Sequence, residues 1–91
     1  MPLLLTPQCV RILAQGNLSV AQQKILWAVA ERLHDKVEVL SLTEVAQNVR
    51  LARETVVNGM RALLRVGLIV RGARVGLSYQ YKLNPAYLRP L

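Results

Sequence analysis

Carboxylates are scarce in this chain. Five Asp and Glu face twelve Lys and Arg, which leaves a formal charge of +7 and a sequence pI of about 10.6. Cysteine is scarcer still: the single Cys9 excludes an intramolecular disulfide and any Cys-rich zinc site. Its apolar neighbours suit an inert thiol in a reducing compartment. The lone His34 has no second His or Cys to share a metal with, so no metal site is expected. There is no Ser-His-Asp grouping at a supporting spacing and no Gly-rich phosphate loop, so the expectation is a protein that is not an enzyme and uses no cofactor. No apolar run approaches the ~20 residues of a membrane span. The opening Met1–Leu5 (MPLLL) is too short and too poor in basic residues for a signal peptide. A cytoplasmic protein is the resulting expectation. Internal repeats, linkers and low-complexity tracts are absent as well.

What is present is a small apolar domain with a basic surface. Hydrophobic residues make up 53% of the 91, which argues against disorder. Nine of the twelve basic residues are Arg, the side chain suited to bidentate contacts with phosphate and guanine. The expected partner is nucleic acid, ahead of an acidic membrane surface or an acidic protein. The length leaves no room for a separate ligand domain, so no small-molecule ligand is expected.

The chain is organised around Ser41–Ile69, SLTEVAQNVRLARETVVNGMRALLRVGLI. Ser41 is a good N-cap, Glu44 completes an S-x-x-E capping box, and Leu40 can staple to Val45. A first helix is expected to run to about Val49. A second starts near Ala52 and continues to about Val66, where Gly67 ends it. At about 100° per residue, Ala52, Val56, Gly59, Met60 and Leu63 share one face of this second helix. Glu54, Asn58, Arg61 and Arg65 share the opposite face, flanked by Arg53 and Thr55. Arg61 and Arg65 are like charges one turn apart, a conflict that a polyanion partner removes.

Before this stretch, Thr6-Pro7 reads as N-cap and N1 proline of a short helix from Pro7 to Gln15, ending at Gly16. The leucines Leu3, Leu4 and Leu5, with Val10, Ile12 and Leu13, make this segment too apolar to stand in water. It must pack on its own domain or on a second subunit. Ser19 and Gln22 form an S-x-x-Q box opening a helix to about His34, with an apolar arc of Ile25, Leu26, Val29, Ala30 and Leu33. Val20 and Trp27 lie on a flank of that arc, Trp27 either as a core aromatic or in contact with the N-terminal helix. Lys36–Leu40 alternates as a short edge strand. After the helix pair, Leu68–Arg71 and Tyr79–Leu83 read as partner strands, with Gly72–Ser78 as a flexible loop in which two glycines bracket Arg74. Asn84-Pro85 then caps one short helical turn, and Tyr87 and Leu88 dock on the domain or on a second subunit.

Residues 41–69 carry a resemblance. The run with Thr55-Val56 at the start of the second helix, and Leu63-Leu64-Arg65-Val66-Gly67-Leu68-Ile69 leading out of it, resembles the winged helix-turn-helix of MarR-like bacterial regulators. It also resembles the plasmid replication proteins of the RepL type, whose hydrophobic-Asn-Pro strand ending is similar to Lys82-Leu83-Asn84-Pro85. The resemblance covers about Val20 to Leu83. It departs at Ala52, where many relatives have a Ser or Thr N-cap. It implies a mainly α fold with a small β-hairpin (α+β): a winged helix-turn-helix with an extra N-terminal helix. The expected layout is one domain, with an extension at 1–17, the winged helix at 18–83 and a tail at 84–91.

On this reading the helix from Ala52 enters a major groove and a wing around Arg74 touches backbone or minor groove. Arg53, Glu54, Val57, Asn58 and Arg61 are the base-edge candidates. Thr43, Arg50, Thr55, Arg65, Arg71 and Arg74 are the phosphate candidates. The expected partner is double-stranded DNA, bound by a homodimer. Three functions compete: a small transcriptional regulator, a plasmid or phage replication or partition protein on iterated sites, and a winged helix used as a protein-interaction module.

Overall fold

The computed structural model describes residues 3–34 and 36–90. Met1, Pro2, Asp35 and Leu91, and with them the outer ends of the expected extension and tail, lie outside that range. The elements are β1 (Leu3–Leu5), α1 (Pro7–Ala14), α2 (Val20–Leu33), β2 (Glu38–Val39), α3 (Leu42–Val49), α4 (Arg53–Val66), β3 (Ile69–Val75), β4 (Ser78–Leu83) and β5 (Leu88–Pro90). The result is an α+β fold of four helices and two small antiparallel sheets, one ordered β2–β4–β3 and the other pairing β1 with β5. No described helix is long and apolar enough to cross a membrane.

Local chemistry sets the helix ends. The Thr6 hydroxyl accepts the Cys9 N–H to open α1, with Pro7 in the first turn. Ser19 and Gln22 make the full reciprocal box on α2. On α3 only half of the expected box forms. Ser41 Oγ accepts the Glu44 N–H at 3.3 Å, but the Glu44 carboxylate turns to Arg32, 3.7 Å away, where a cation is the stronger partner. Helix α4 ends at Gly67 (φ 85), whose N–H bonds to the Leu64 carbonyl while Leu68 N–H reaches Leu63. That is a Schellman closure. Helix α3 ends the same way without glycine: Arg50 sits at φ 57, ψ 45, a conformation costing a non-glycine residue on the order of 1 kcal/mol.

The core is built on the apolar arc of α2. Ile25, Leu26, Val29, Ala30 and Leu33 are all buried, as are Val56, Met60 and Leu63 of α4 and Val45 and Val49 of α3. Gly59 is buried where α4 crosses α2: a Cβ placed there falls 2.5 Å from Ile25 Cδ1. Trp27 stays 40% exposed and Val20 85%, so neither is a core residue.

The expected hairpin loop is corrected as well. Gly72–Ser78 is not one flexible loop, because β3 runs through Val75 and the hairpin turns in two residues, Gly76 and Leu77. Gly76 has φ 62, the positive first position that a tight hairpin turn requires. Gly72 falls instead in a break of register between Arg71 and Arg74, where strand glycines mark a bulge as readily as a loop.

The N-terminal segment and the tail pack on their own domain, one of the two expected alternatives, and they do so through each other: Leu3, Leu4 and Leu5 pair with Pro90, Arg89 and Leu88. Buried Thr6 fastens the pairing, its hydroxyl donating to the Ala86 carbonyl at 2.7 Å and its N–H to Tyr87 O at 3.0 Å. Leu88 and Cys9 are buried beneath it. The expected single turn at Asn84 does form, with Asn84 O accepting both the Tyr87 and Leu88 N–H groups.

Two substitutions test this architecture by urea denaturation. Gly59→Val should destabilise by about 1–3 kcal/mol, since its branched side chain meets Ile25, which is itself fully packed; a neutral result would mean that Ile25 turns aside without loss. Thr6→Ala should cost about 1–2 kcal/mol, because it removes a helix cap and the hydrogen bond from the buried Thr6 hydroxyl to the Ala86 carbonyl. A wild-type midpoint would show that the terminal strands do not hold together in solution.

Candidate nucleic-acid interface

The packing of α4 decides which of its side chains meet solvent. With Val56, Gly59, Met60 and Leu63 turned inward, Arg53, Glu54, Thr55, Asn58, Arg61 and Arg65 are exposed and Val57 is half-buried. The hairpin stands beside this face. Between them lies a groove of about 450 Å³ lined by Thr43, Arg53, Val57, Arg61, Arg71 and Tyr79, among others. Five of the eleven residues singled out in the sequence therefore meet in one concave surface. Glu54, Thr55, Asn58 and Arg65 stay on the exposed face of α4 outside it. Arg50 stands apart at the left-handed end of α3, and Arg74 lies near the hairpin tip.

Two arginines are held in place. Arg53 Nε donates to Thr43 Oγ1 at 3.2 Å, which ties the start of α4 to the start of α3. Ala52 supplies no side-chain cap. Arg74 Nε donates to the Gly76 carbonyl at 3.0 Å, folding its guanidinium against the turn. Each keeps its outer N–H groups free for a ligand.

The bulge in β3 has a specific effect. Arg71 pairs with Tyr81 and Arg74 with Tyr79. Residues three apart on a regular strand point to opposite faces. The extra residue restores the phase, so Arg71 and Arg74 both share the face of the two tyrosines. Tyr79 is the functional candidate that the sequence reading missed: its ring lies 4.4 Å from the Arg71 guanidinium carbon and fixes that cation by a cation–π contact. The alternation of Tyr79, Gln80 and Tyr81 already placed the two tyrosines on one face. Tyr81 is buried, and burial pushes its phenol above the usual range.

The charges are segregated. Among the described residues, every ion pair involves Arg32 or Lys36 with Glu38 or Glu44. Arg32 Nη2 lies 2.9 Å from Glu38 Oε1 and Lys36 Nζ 3.3 Å from Glu38 Oε2. Among the described residues no arginine of α4 or the hairpin is in an ion pair, and Glu54 is the only carboxylate on α4. The Cys9 thiol is fully buried and its pKa is raised by that burial, which keeps it protonated and unreactive. No group of His, Cys, Asp and Glu among the described residues is suited to hold a metal.

No protein-family model, curated protein or solved structure matches this chain.

The Glu38 cluster gives a pH dependence. The hydrogen bond from Arg32 holds the Glu38 carboxyl below its ordinary range. A carboxylate depressed in the folded state contributes stability above its unfolded pKa, and loses it as pH falls through the folded value. Thermal melts should therefore drop as pH falls through and below the ordinary glutamate range, and Glu38→Gln should flatten that drop. An unchanged slope in the variant would place the acid sensitivity elsewhere.

Proposed function

We propose that this chain binds double-stranded DNA in a sequence-specific manner, as a winged helix-turn-helix protein. Helix α4 enters the major groove, and the β3–β4 hairpin, acting as the wing, meets the flanking backbone. One observation carries this reading. Arg53, Arg61, Arg65, Arg71 and Arg74 stand on α4 and the adjoining hairpin with Glu54 as the one carboxylate on that helix and with no ion pair among the described residues, whose ion pairs are gathered at Arg32 and Lys36. A run of like charges on one surface is unfavourable by itself and becomes favourable against phosphates, with release of their counterions.

The side chains divide by reach. Arg53, Val57 and Arg61 line the groove and, with Glu54 and Asn58 on the exposed face of α4, are placed to read base edges. Arg65, Arg71, Arg74, Thr55 and Thr43 surround them as phosphate contacts. Arg50, at the end of α3, belongs to the same outer set. No catalytic step and no cofactor enters this function. The most economical biological role is a small repressor that acts by occluding its operator. In a two-fold dimer the two copies of α4 would lie about 34 Å apart, on successive major grooves.

Selection from a random duplex library at two salt concentrations tests the proposal. Arg61→Ala should lose about 1–3 kcal/mol on the selected site and relax preference at one position. Arg65→Ala should weaken all sequences alike and lower the salt slope by about one. A palindromic selected site identifies the dimeric regulator. Tandem half-sites move the role to replication or partition at iterated sites. Absence of binding at either concentration overturns the proposal in favour of a protein-interaction module.

A further inference from the structure

The β2–β4–β3 sheet has a second face, and it is neither covered nor basic throughout. Ile69, Tyr81 and Leu83 point into the core. Gln80 and Lys82 alternate to the other side, and their registered partners Val39 and Val70 go with them. Val37, two residues before Val39, continues the same line. All three valines are exposed, Val37 by 53%. At one end of this face Val37 and Lys82 line a cavity of about 270 Å³ floored by Leu33, Leu83 and Leu88, with Val39 and Val70 outside it. Lys36, Lys82 and Arg89 form its rim.

We infer that this face docks an acidic peptide segment of a partner protein, with apolar side chains seated in the cavity and carboxylates paired to Lys82 and Arg89. Charge selects the occupant. Lys82 and Arg89 have no carboxylate partner among the described residues, and Lys36 shares Glu38 with Arg32. A second copy of this chain is a poor fit: it carries a charge of +7, and its Glu38 and Glu44 are already in ion pairs. A polynucleotide is a poor fit to the floor, where leucine and proline offer phosphates no donor. An apolar anchor flanked by carboxylates satisfies both the floor and the rim. The assignment does not depend on what α4 binds, because Arg71 and Tyr81 share the other face of the sheet. Both surfaces can be occupied at once.

The test uses the full chain and a short fluorescein-labelled peptide that alternates aspartate or glutamate with leucine and phenylalanine. Saturable anisotropy is expected, with amide shifts centred on Val37, Lys82 and Arg89. The double variant Lys82→Glu, Arg89→Glu should weaken binding by about tenfold or more, Val37→Asp should do the same, and Arg61→Ala should leave it unchanged. Melting curves matching the parent establish that each variant is folded. Three results would overturn the inference: no saturable binding, equal binding of a control peptide with serine at the apolar positions, or shifts centred on Arg61 and Arg71. A fourth would be peptide-free self-association in sedimentation that Val37→Asp abolishes, because a second copy would then cover the face.

Discussion

The approach of α4 to α2 at Gly59 is the contact on which the rest of this molecule turns. With no side chain at that position, the α4 backbone comes close enough for Ile25 to fill the space where a Cβ would stand. That contact sets the rotation of α4 about its own axis. Gly59 and Arg61 are two residues, about 200°, apart on the helix. Pressing Gly59 into α2 therefore turns Arg61 to solvent, and the same rotation buries Val56, Met60 and Leu63. The basic surface is thus a consequence of core packing: its direction is set by apolar groups that never touch a ligand.

Charge follows the same division. A small chain with few carboxylates has little means of neutralising twelve cations, and two of those carboxylates are committed to Arg32 and Lys36. The ion pairs consolidate the end of α2 against β2 and the start of α3. They leave α4 and the hairpin with an uncompensated field. Tyr79 contributes there by restraining Arg71 without lowering its charge, as an aromatic ring does and a carboxylate does not.

What the sequence disclosed was governed by distance along the chain. Caps at Thr6, Ser19 and Ser41, the stop at Gly67, the buried arc of α2 and the exposed stripe of α4 are all decided within a turn or two, and all are legible in the residues. Arg53, Val57 and Arg61 recur every four residues along one side of α4 and so line one groove, where Thr43 of α3 and Arg71 of β3 join them. The failures are of another kind. Glu44 abandoned its capping role for an arginine on another helix. Arg50 took a left-handed conformation with no glycine to announce it. In Gly72 a bulge looked like a loop, since a strand glycine signals either. Tyr79 gained its role from a partner across the hairpin. The pairing of β1 with β5 was illegible, because three leucines and a Leu-Arg-Pro far apart in the chain carry no mark of each other.

That last pairing affects how the fold is reached. The bond from Thr6 to Ala86 spans a sequence separation of 80 residues, and closing so long a loop is entropically costly and slow beside helix formation. During synthesis β1 is made before β5 and has no strand to pair with until Leu88–Pro90 has followed. Its leucines must wait, exposed or held against α1, while the helical core assembles. Of the described elements, the clasp is thus the last that can form.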